Sequence, residues 1–266
     1  MNSLRRISFF LITLTLISCS KVPITGRRQL NVVPGNMLTQ MSLSSYQQFL
    51  TEHPPVPAGN QQAQMVSNVG QRISAAVETW LRDNQMGDKI KNYSWEFNLV
   101  DSPEVNAWCM PGGKVVFYTG IMPIAKDESG IAVIMGHEIA HAVANHGGER
   151  MSQQLAVILG GVTLDVALNK EPELTRDIFN SVYGVGSQLG MLAYSRTHEY
   201  EADKLGMVFM AMAGYDPART ISFWQEMAAI PGQAPPEFLS THPSNQKRIK
   251  ALQDFLPQAN NYYKAP

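Results

Sequence analysis

The sequence contains residue types that can bind a metal ion from one face of a helix. His137, Glu138 and His141 form a His-Glu-x-x-His motif inside the apolar stretch 131–144. Residues four apart share a helical face, so the two imidazoles can bind the same ion. Glu138 lies about 100° around the helix from His137, where it can hold a water molecule without ligating the metal. Neutral nitrogen ligands at this spacing predict zinc, one ion per chain.

A catalytic zinc site needs a third protein ligand, and Glu199 is the candidate. Glu199 and Asp203 are four residues apart, so a carboxylate ligand at 199 would bring Asp203 to an N–H of a metal-bound histidine. Acidic pairs at this spacing are common on solvated helix faces. Here Leu205 and Val208 follow, and small and apolar residues at 190–193 precede, which is typical of a core helix.

Three neighbouring residues are weaker candidates for metal ligands. His146 lies nine positions after His137, about 180° around an uninterrupted helix, so we expect it to cap or end that helix. His198 and Glu201 lie one and two positions from Glu199 and should face away from the ion, with Glu201 directed outward.

The surrounding pattern predicts one α+β domain that is mainly helical. Apolar residues recur at helical spacing over 61–81, and the second half of the chain is mostly helical in pattern. A strand is predicted at 95–100. The Pro-Gly-Gly turn at 111–113 indicates a hairpin between 105–110 and 114–118. A small sheet is therefore expected beside the helix that carries the metal motif.

The amino terminus has the features of a bacterial export signal. Arg5 and Arg6 precede an apolar run at 7–17, which is about half as long as a membrane span requires. A small residue directly before Cys19 resembles the site where lipoproteins are cleaved and diacylated. An ordinary secretory signal with an incidental cysteine is the alternative. By resemblance to Gram-negative lipoproteins, Ser20 favours delivery to the outer membrane, facing the periplasm.

Composition and charge exclude several classes of protein. The 21 basic and 22 acidic residues give a formal charge of −1, which argues against nucleic acid as the main partner. Two cysteines exclude a disulfide scaffold and a four-cysteine zinc module. Besides Cys19, the chain has only Cys109, whose neighbours Trp108 and Met110 favour a buried, inert thiol. No later stretch is apolar and long enough to predict a transmembrane anchor.

Taken together, the motifs resemble a family of zinc peptidases over most of residues 60–255. The matching segments are Asn106-Ala107, Pro111-Gly112-Gly113, His137 to His141, His146-Gly147, Glu199 to Asp203, Thr241-His242-Pro243 and Arg248-Ile249. This gluzincin family includes the CAAX prenyl endopeptidases, the HtpX heat-shock peptidases and the mitochondrial stress peptidase Oma. The polytopic members of the family carry transmembrane helices, and none is predicted in this chain. The chain therefore looks like the periplasmic lipoprotein branch, and cleavage of prenylated substrates is not implied.

The resemblance implies a zincin-like fold and roles for particular residues. Glu199 is implied as the third zinc ligand and Asp203 as its supporting partner. His242 is implied to lie near the zinc, either donating to the oxyanion or acting as a removable fourth ligand that masks the site. A loop histidine is the plain alternative. Arg248 is implied to orient a carboxylate or the substrate, with a surface ion pair as the alternative.

The resemblance also implies a way to bind substrate. Asn106 and Gly112 flank a strand that offers an open sheet edge to an extended peptide, with a plain hairpin as the alternative. The predicted reaction is zinc-dependent hydrolysis of peptide bonds in unfolded or misassembled envelope proteins. Glu138 takes a proton from water and passes it to the leaving amine, and His242 stabilises the oxyanion.

A chaperone or assembly factor with a masked zinc site, holding the same clients, is the alternative function. A structural zinc protein is disfavoured because such sites usually have four protein ligands, often cysteines. The outer-membrane assembly machinery is a candidate partner. The predicted order along the chain is a signal peptide at 1–18, a lipidated tether and lead-in at 19–60, the zinc metallopeptidase domain at 61–256 and a tail at 257–266.

Overall fold

Helices make up most of the described part of the chain. The computed structural model describes residues 19–159, 172–183, 195–229, 238, 242 and 246–265. Its strands are β1 (Cys19–Lys21), β2 (Arg28–Leu30), β3 (Glu96–Val100), β4 (Ala107–Met110) and β5 (Lys114–Tyr118). Its helices are α1 (Gly35–Glu52), α2 (Gln61–Asp83), α3 (Met122–Ala125), α4 (Glu128–Val143), α5 (His146–Leu159), α6 (Pro172–Tyr183), α7 (Arg196–Met212), α8 (Arg219–Ala228) and α9 (Gln246–Asn260).

The predicted class is confirmed: a mainly helical α+β domain whose small sheet lies beside the helix with the metal motif. None of the described helices combines the length and apolar character needed to cross a membrane. The predicted signal peptide at 1–18 lies outside the described residues, as do residues 190–193. Helix α7 is seen to begin only at Arg196, with the Ser195 hydroxyl accepting the N–H of His198 at 3.2 Å.

A three-stranded sheet contains the predicted hairpin. β4 and β5 pair antiparallel, with Ala107 opposite Phe117, and β3 pairs parallel with β5. The order β3-β5-β4 leaves β4 at an edge of this sheet. Gly112 and Gly113 turn the chain between the two strands at φ of +87° and +82°, a region that glycine adopts without steric cost. The hairpin and the strand predicted at 95–100 are both confirmed.

Helix α4, which carries His137 and His141, lies in the middle of the core. Every residue from Gly130 to Val143 is buried, as expected for a helix that is apolar all round. The helix begins where the Asp127 carboxylate accepts the N–H of Gly130 at 2.9 Å. It packs against α7, α2 and β4, so other elements enclose the helix that carries the metal motif.

Two glycines allow α4 and α7 to cross closely. A Cβ on Gly136 would lie 2.7 Å from the carbonyl oxygen of Gly206, and a Cβ on Gly206 would lie 2.7 Å from the backbone nitrogen of His137. Any larger side chain at either position would push the helices apart. The crossing therefore sets how near the acidic residues of α7 come to the imidazoles of α4.

Residues 19–60, predicted as a tether and lead-in, fold against the domain. β1 and β2 form an antiparallel hairpin, and Leu38 and Tyr46 of α1 are each only 1% exposed. Asn60 caps α2 by accepting the N–H groups of Gln62 and Ala63, so the helix begins at the predicted boundary. At the other end α9 continues to Asn260, past the predicted start of the tail. The division into domains stays a prediction.

Cys109 is 6% exposed on β4, and its thiol is unpaired within the described residues. Burial raises the pKa of this thiol well above its ordinary value. The predicted burial of this cysteine is confirmed, and its inertness stays a prediction.

Candidate metal centre

Four side chains from three parts of the chain converge at one buried point. His137 and His141 come from α4, Glu199 from the first turn of α7, and His242 from the segment before α9. One donor atom from each lies within 4.8 Å of the others, and all four residues are buried. The structure thus brings together the two histidines and the carboxylate that the sequence predicts as ligands, with His242 as a fourth donor.

The spacing of these donors fits zinc. Zinc–ligand bonds of about 2.0–2.1 Å imply donor–donor separations of about 3.3 Å in a tetrahedral site. The Nε2 atom of His137 lies 3.1 Å from Nε2 of His141 and 3.1 Å from Nδ1 of His242. Oxygens of Glu199 lie 3.0 Å from His242, 3.4 Å from His141 and 3.5 Å from His137. These separations, between three imidazole nitrogens and the two oxygens of Glu199, are close to that value, so the group fits a zinc ion.

Glu138 lies beside the donors without belonging to them. It is 2% exposed, and its Oε1 atom makes no hydrogen bond to any described residue while lying 3.5 Å from Nε2 of His242. Burial raises the pKa of Glu138 to about 7, although His242 and the backbone N–H of Cys109 oppose the shift. A carboxyl group with a pKa near neutrality can both accept and return a proton.

Asp203 supports His137, as the sequence predicts. Its Oδ1 atom lies 3.2 Å from Nδ1 of His137, the ring nitrogen that faces away from the other donors. Arg248 holds the same carboxylate through two hydrogen bonds, from Nε to Oδ2 at 2.7 Å and from Nη2 to Oδ1 at 2.6 Å. Burial by itself would raise the pKa of Asp203, but Arg248 and His137 outweigh it and lower that pKa. Asp203 therefore stays ionised and fixes the ring of His137.

Arg248 is buried, so the alternative of a surface ion pair is wrong. The residue is 2% exposed, and its guanidinium carbon lies 4.1 Å from the centre of the Trp224 ring. Besides Asp203 it reaches Oε2 of Glu199 at 3.1 Å and donates to the carbonyl oxygen of His242 at 3.0 Å. One guanidinium thus connects a predicted ligand, its supporting carboxylate and the segment that carries His242.

The segment before α9 also touches the sheet. The N–H of Phe238 donates to the carbonyl oxygen of Val105 at 2.9 Å, just before β4, and the N–H of His242 donates to Phe238 at 2.8 Å. The Phe238 ring stacks on Trp224 with centroids 5.8 Å apart and lies 4.8 Å from the ring of His242. His242 is therefore held over the donors by contacts with β4, α8 and Arg248.

Asn106 and Gly112 lie at the two ends of β4. Asn106 is 7% exposed, and its carbonyl oxygen accepts the N–H of Tyr118 at 3.1 Å. The carbonyl oxygen of Gly112 accepts the N–H of Ser94 at 2.9 Å. Both residues therefore support the sheet, and their role in binding substrate stays a prediction.

The expectation that Glu201 points outward is wrong. Glu201 is 5% exposed because the first turn of α7 is covered by α5 and by the β1–β2 hairpin. His146 is the first residue of α5, since the chain turns at Asn145 with a φ of 55°, and it lies outside the group of four donors. His198 faces Glu149 at 3.0 Å, away from the donors as expected.

Arg27 is a residue that sequence reasoning missed. It bonds to both Glu149 and Glu201, which lie 122 and 174 residues away in the sequence. No spacing rule links such distant positions, and residue 27 belongs to a stretch predicted as a tether. The only available signal was the pair of adjacent basic residues Arg27 and Arg28.

Comparison with known proteins agrees with this geometry. The family model for peptidase family M48 matches residues 68–256. Mitochondrial metalloendopeptidase OMA1 of Schizosaccharomyces pombe is 32% identical over 242 residues, which cover 90% of this chain and 66% of that protein. Human metalloendopeptidase OMA1 is 30% identical over 247 residues, 89% of this chain and 46% of that protein. The putative β-barrel assembly-enhancing protease of Vibrio cholerae is 28% identical over 214 residues, 77% and 41% respectively.

The chain spans between about a third and two thirds of the length of the curated relatives at the head of this comparison. The family match nevertheless covers more than half of the chain and includes both helices of the metal centre. The chain belongs to peptidase family M48, a family of zinc-dependent metallopeptidases.

Proposed function

We propose that this chain is a zinc-dependent endopeptidase that hydrolyses peptide bonds in unfolded or misassembled proteins of the bacterial envelope. The observation that carries the proposal is the meeting of His137, His141 and Glu199 at tetrahedral spacing with the carboxylate of Glu138 beside them. Zinc held there supplies a Lewis acid that acidifies a water molecule and polarises a peptide carbonyl.

Glu138 serves as the proton carrier in this mechanism. Its Oε1 atom accepts the proton of the attacking water and then returns it to the nitrogen of the leaving amine. The carboxylate is buried beside the four donors, with Oε1 3.5 Å from Nε2 of His242, so it is placed to reach a water molecule at the metal centre. Asp203 and Arg248 keep the ring of His137 fixed while this happens.

His242 has to leave its place among the donors before substrate can bind. A catalytic zinc site keeps one position open, and here four protein donors are already together. The resting arrangement is thus a masked site.

The edge of β4 is the proposed binding surface for substrate. Asn106 and Tyr118 form a hydrogen-bonded pair, so the backbone groups of Ala107 and Cys109 face away from β5. The N–H of Ala107 is bound by Oδ1 of Asn106 at 2.9 Å and the N–H of Cys109 faces Glu138, so strand addition would have to replace these contacts. An extended peptide added there would be bound mainly by its backbone, which suits unfolded proteins of many sequences. Phe238 occupies the start of this edge and His242 completes the group of four donors, so displacing these two residues would free the edge and the metal centre.

The envelope location rests on two supports. One relative, from Vibrio cholerae, is named a putative β-barrel assembly-enhancing protease, and another, from Yersinia pestis, is named a β-barrel assembly-enhancing protease. The sequence around Cys19 resembles a lipidation site. We therefore assign the chain to the outer membrane, lipid-anchored at Cys19 and facing the periplasm, with the outer-membrane assembly machinery as a candidate partner. The mitochondrial relatives support the chemistry and not this location.

The test compares cleavage and zinc content in matched variants. Glu138→Gln should keep zinc but lose cleavage of casein and of a misfolded outer-membrane protein, whereas His242→Ala should cleave faster than the wild type. Glu173→Gln, an exposed change on α6, should behave as the wild type. Retained cleavage in Glu138→Gln would contradict the mechanism.

A chaperone or assembly factor with a masked zinc site is the second candidate, favoured by the presence of His242 as a fourth donor. It predicts that wild type, Glu138→Gln and His242→Ala all bind the misfolded client with similar affinity and that none cleaves it. The same set of proteins therefore separates the two functions.

A further inference from the structure

A second buried polar cluster lies behind the metal centre. It consists of Arg27, His146, Glu149, His198 and Glu201, and we refer to it as the Arg27 cluster. Its members come from the β1–β2 hairpin, the first turn of α5 and the first two turns of α7. The four members other than Arg27 are at most 5% exposed, and the Arg27 side chain is 24% exposed. Buried ionisable groups in this number require an explanation.

The Arg27 cluster contacts the metal centre through a hydrogen bond between His146 and His141. Nδ1 of His146 lies 3.0 Å from Nδ1 of His141, the ring nitrogen opposite to the one that faces the other donors. A neutral imidazole that offers Nε2 to a metal carries its proton on Nδ1. His141 must therefore donate, and Nδ1 of His146 must accept.

The same argument fixes the next link of the chain of hydrogen bonds. Because Nδ1 of His146 accepts, its proton is on Nε2, which lies 3.0 Å from Oε2 of Glu201. That oxygen also accepts from Nε of Arg27 at 2.7 Å, and the Thr25 hydroxyl donates to Oε1. The hydrogen bonds that link His141 to His146, His146 to Glu201 and Glu201 to Arg27 thus each have one donor and one acceptor.

Arg27 anchors the far end. Its Nη1 and Nη2 atoms bond to the two oxygens of Glu149 at 2.9 and 2.7 Å, and His198 lies 3.0 Å from the same carboxylate. The rings of His146 and His198 stack with centroids 4.5 Å apart. The guanidinium therefore bonds to both carboxylates, and the group of metal donors found among the described residues includes neither of them.

We propose that His146 and Glu201 position His141 for metal binding, and that Arg27 makes the N-terminal hairpin a structural part of the metal centre. This inference rests on the zinc site of the proposed function. The partner of a metal-bound histidine fixes its tautomer and ring orientation, and losing it typically costs 10- to 100-fold in metal affinity. His146 is thus a positioning residue and not a ligand.

The experiment measures zinc affinity by competition with a chelator in the full chain. His146→Leu should weaken zinc binding about 10- to 100-fold. His146→Asn should recover most of the affinity, because its Oδ1 atom takes the place of the accepting Nδ1. Glu201→Gln and Arg27→Gln should weaken binding by smaller factors. Arg28→Gln removes a neighbouring exposed charge and should leave the affinity unchanged.

Two further readouts separate positioning from simple destabilisation. The melting temperature of the metal-free protein should be similar in His146→Leu and His146→Asn, whereas zinc should raise it less in His146→Leu. The visible spectrum of the Co²⁺-substituted protein should change in His146→Leu and be restored in His146→Asn.

The outcomes that overturn the inference are distinct. Zinc binding as tight in His146→Leu and Glu201→Gln as in the wild type would overturn it while leaving the proposed function intact. An absence of zinc binding in the wild type would remove the proposed function itself. If His146→Leu fails to fold, His146→Asn and Glu201→Gln decide: weakened binding in Glu201→Gln with near-normal binding in His146→Asn supports the proposal, and equal binding in both overturns it.

Discussion

His137 and His141 of α4 are supported from opposite sides by two series of hydrogen-bonded side chains, which differ in construction. We refer to these series as arms: one runs from His137 through Asp203 to Arg248, and the other from His141 through His146 and Glu201 to Arg27. On one side Asp203 contacts His137 directly and is held by Arg248, which is 2% exposed. On the other side His141 meets the imidazole of His146, and the carboxylate of Glu201 comes one step later, held by the partly exposed Arg27. The first arm is short and sealed, whereas the second is longer and reaches the surface. We therefore expect the first arm to contribute more to the free energy of unfolding, and the second arm to tolerate substitution at a smaller cost.

Both arms depend on one helix. The first two turns of α7 carry Glu199 among the donors, Glu201 in the Arg27 cluster and Asp203 beneath His137. Residues 199 and 203 share a face, and residue 201 lies about 200° from 199. Because α7 contributes to both the metal centre and the Arg27 cluster, its acidic residues are divided between the two. The arms differ in their outer ends: Arg248 lies inside the segment matched by the family model, and Arg27 lies before it.

The largest expected effect comes from removing the arginine of the sealed arm. Arg248→Gln leaves two buried carboxylates without their cation, which should cost about 3–5 kcal/mol of the free energy of unfolding. Arg27→Gln should cost about 1–3 kcal/mol, because water can partly replace its side chain. Urea denaturation of the metal-free proteins at pH 7 measures both. Equal losses would abolish the distinction between the two arms.

A change at the helix crossing should damage both arms together. In Gly206→Ala the new Cβ would lie 2.7 Å from the backbone of His137, so α7 must move away from α4. We expect a loss of about 1–3 kcal/mol in unfolding free energy together with weaker zinc binding. Gly59→Ala, where a Cβ meets nothing within 4 Å, is the control. Normal zinc affinity in Gly206→Ala would show that the crossing does not set the donor geometry.

The smallest effect is a pH dependence of the arm that ends at Arg27. Burial raises the pKa of Glu149, but hydrogen bonds from His198 and Arg27 outweigh it and lower the pKa to about 2 from an ordinary 4.5. A depressed folded-state pKa stabilises the fold above about pH 4.5, and that stability is lost as the pH falls toward 2. Arg27→Gln should reduce this loss. Urea unfolding of both metal-free proteins at pH 5.5 and pH 3 measures the difference, and identical losses would show that Arg27 does not control Glu149.

Local patterns predicted the parts of the site that lie within single elements. The spacing of His137 and His141 places them on one face of α4, and the spacing of Glu199 and Asp203 does the same on α7. The hairpin followed from its Pro-Gly-Gly turn. His242 and Arg248 came from resemblance alone, since a histidine before a proline and an arginine on a helix have no distinctive spacing.

The surroundings of Glu201 and Arg27 could not be predicted in this way. Periodicity reports which residues of one helix share a face, but it does not report what covers that face. Glu201 was expected to face solvent because its neighbours 199 and 203 face the metal, yet α5 and the β1–β2 hairpin bury it. The segment 19–60 was interpreted as a tether for the same reason, since the contacts by which Arg27 and Tyr46 hold it to the domain are with residues far away in the sequence.

The sequence by itself determined which atoms are available to bind zinc, because helical geometry repeats every 3.6 residues and is fixed locally. Only the tertiary structure decided how these atoms meet. Gly136 and Gly206 let α4 and α7 approach within backbone contact. Arg248 donates to the carbonyl oxygen of His242 and so holds it beside the ligands. Arg27 links the N-terminal hairpin to His141 through Glu201 and His146. The helix crossing and the contacts of Arg27 join residues far apart in the chain, so they depend on packing of the whole domain, and the ion pairs of Arg27 and Arg248 depend on burial of the charges that they pair.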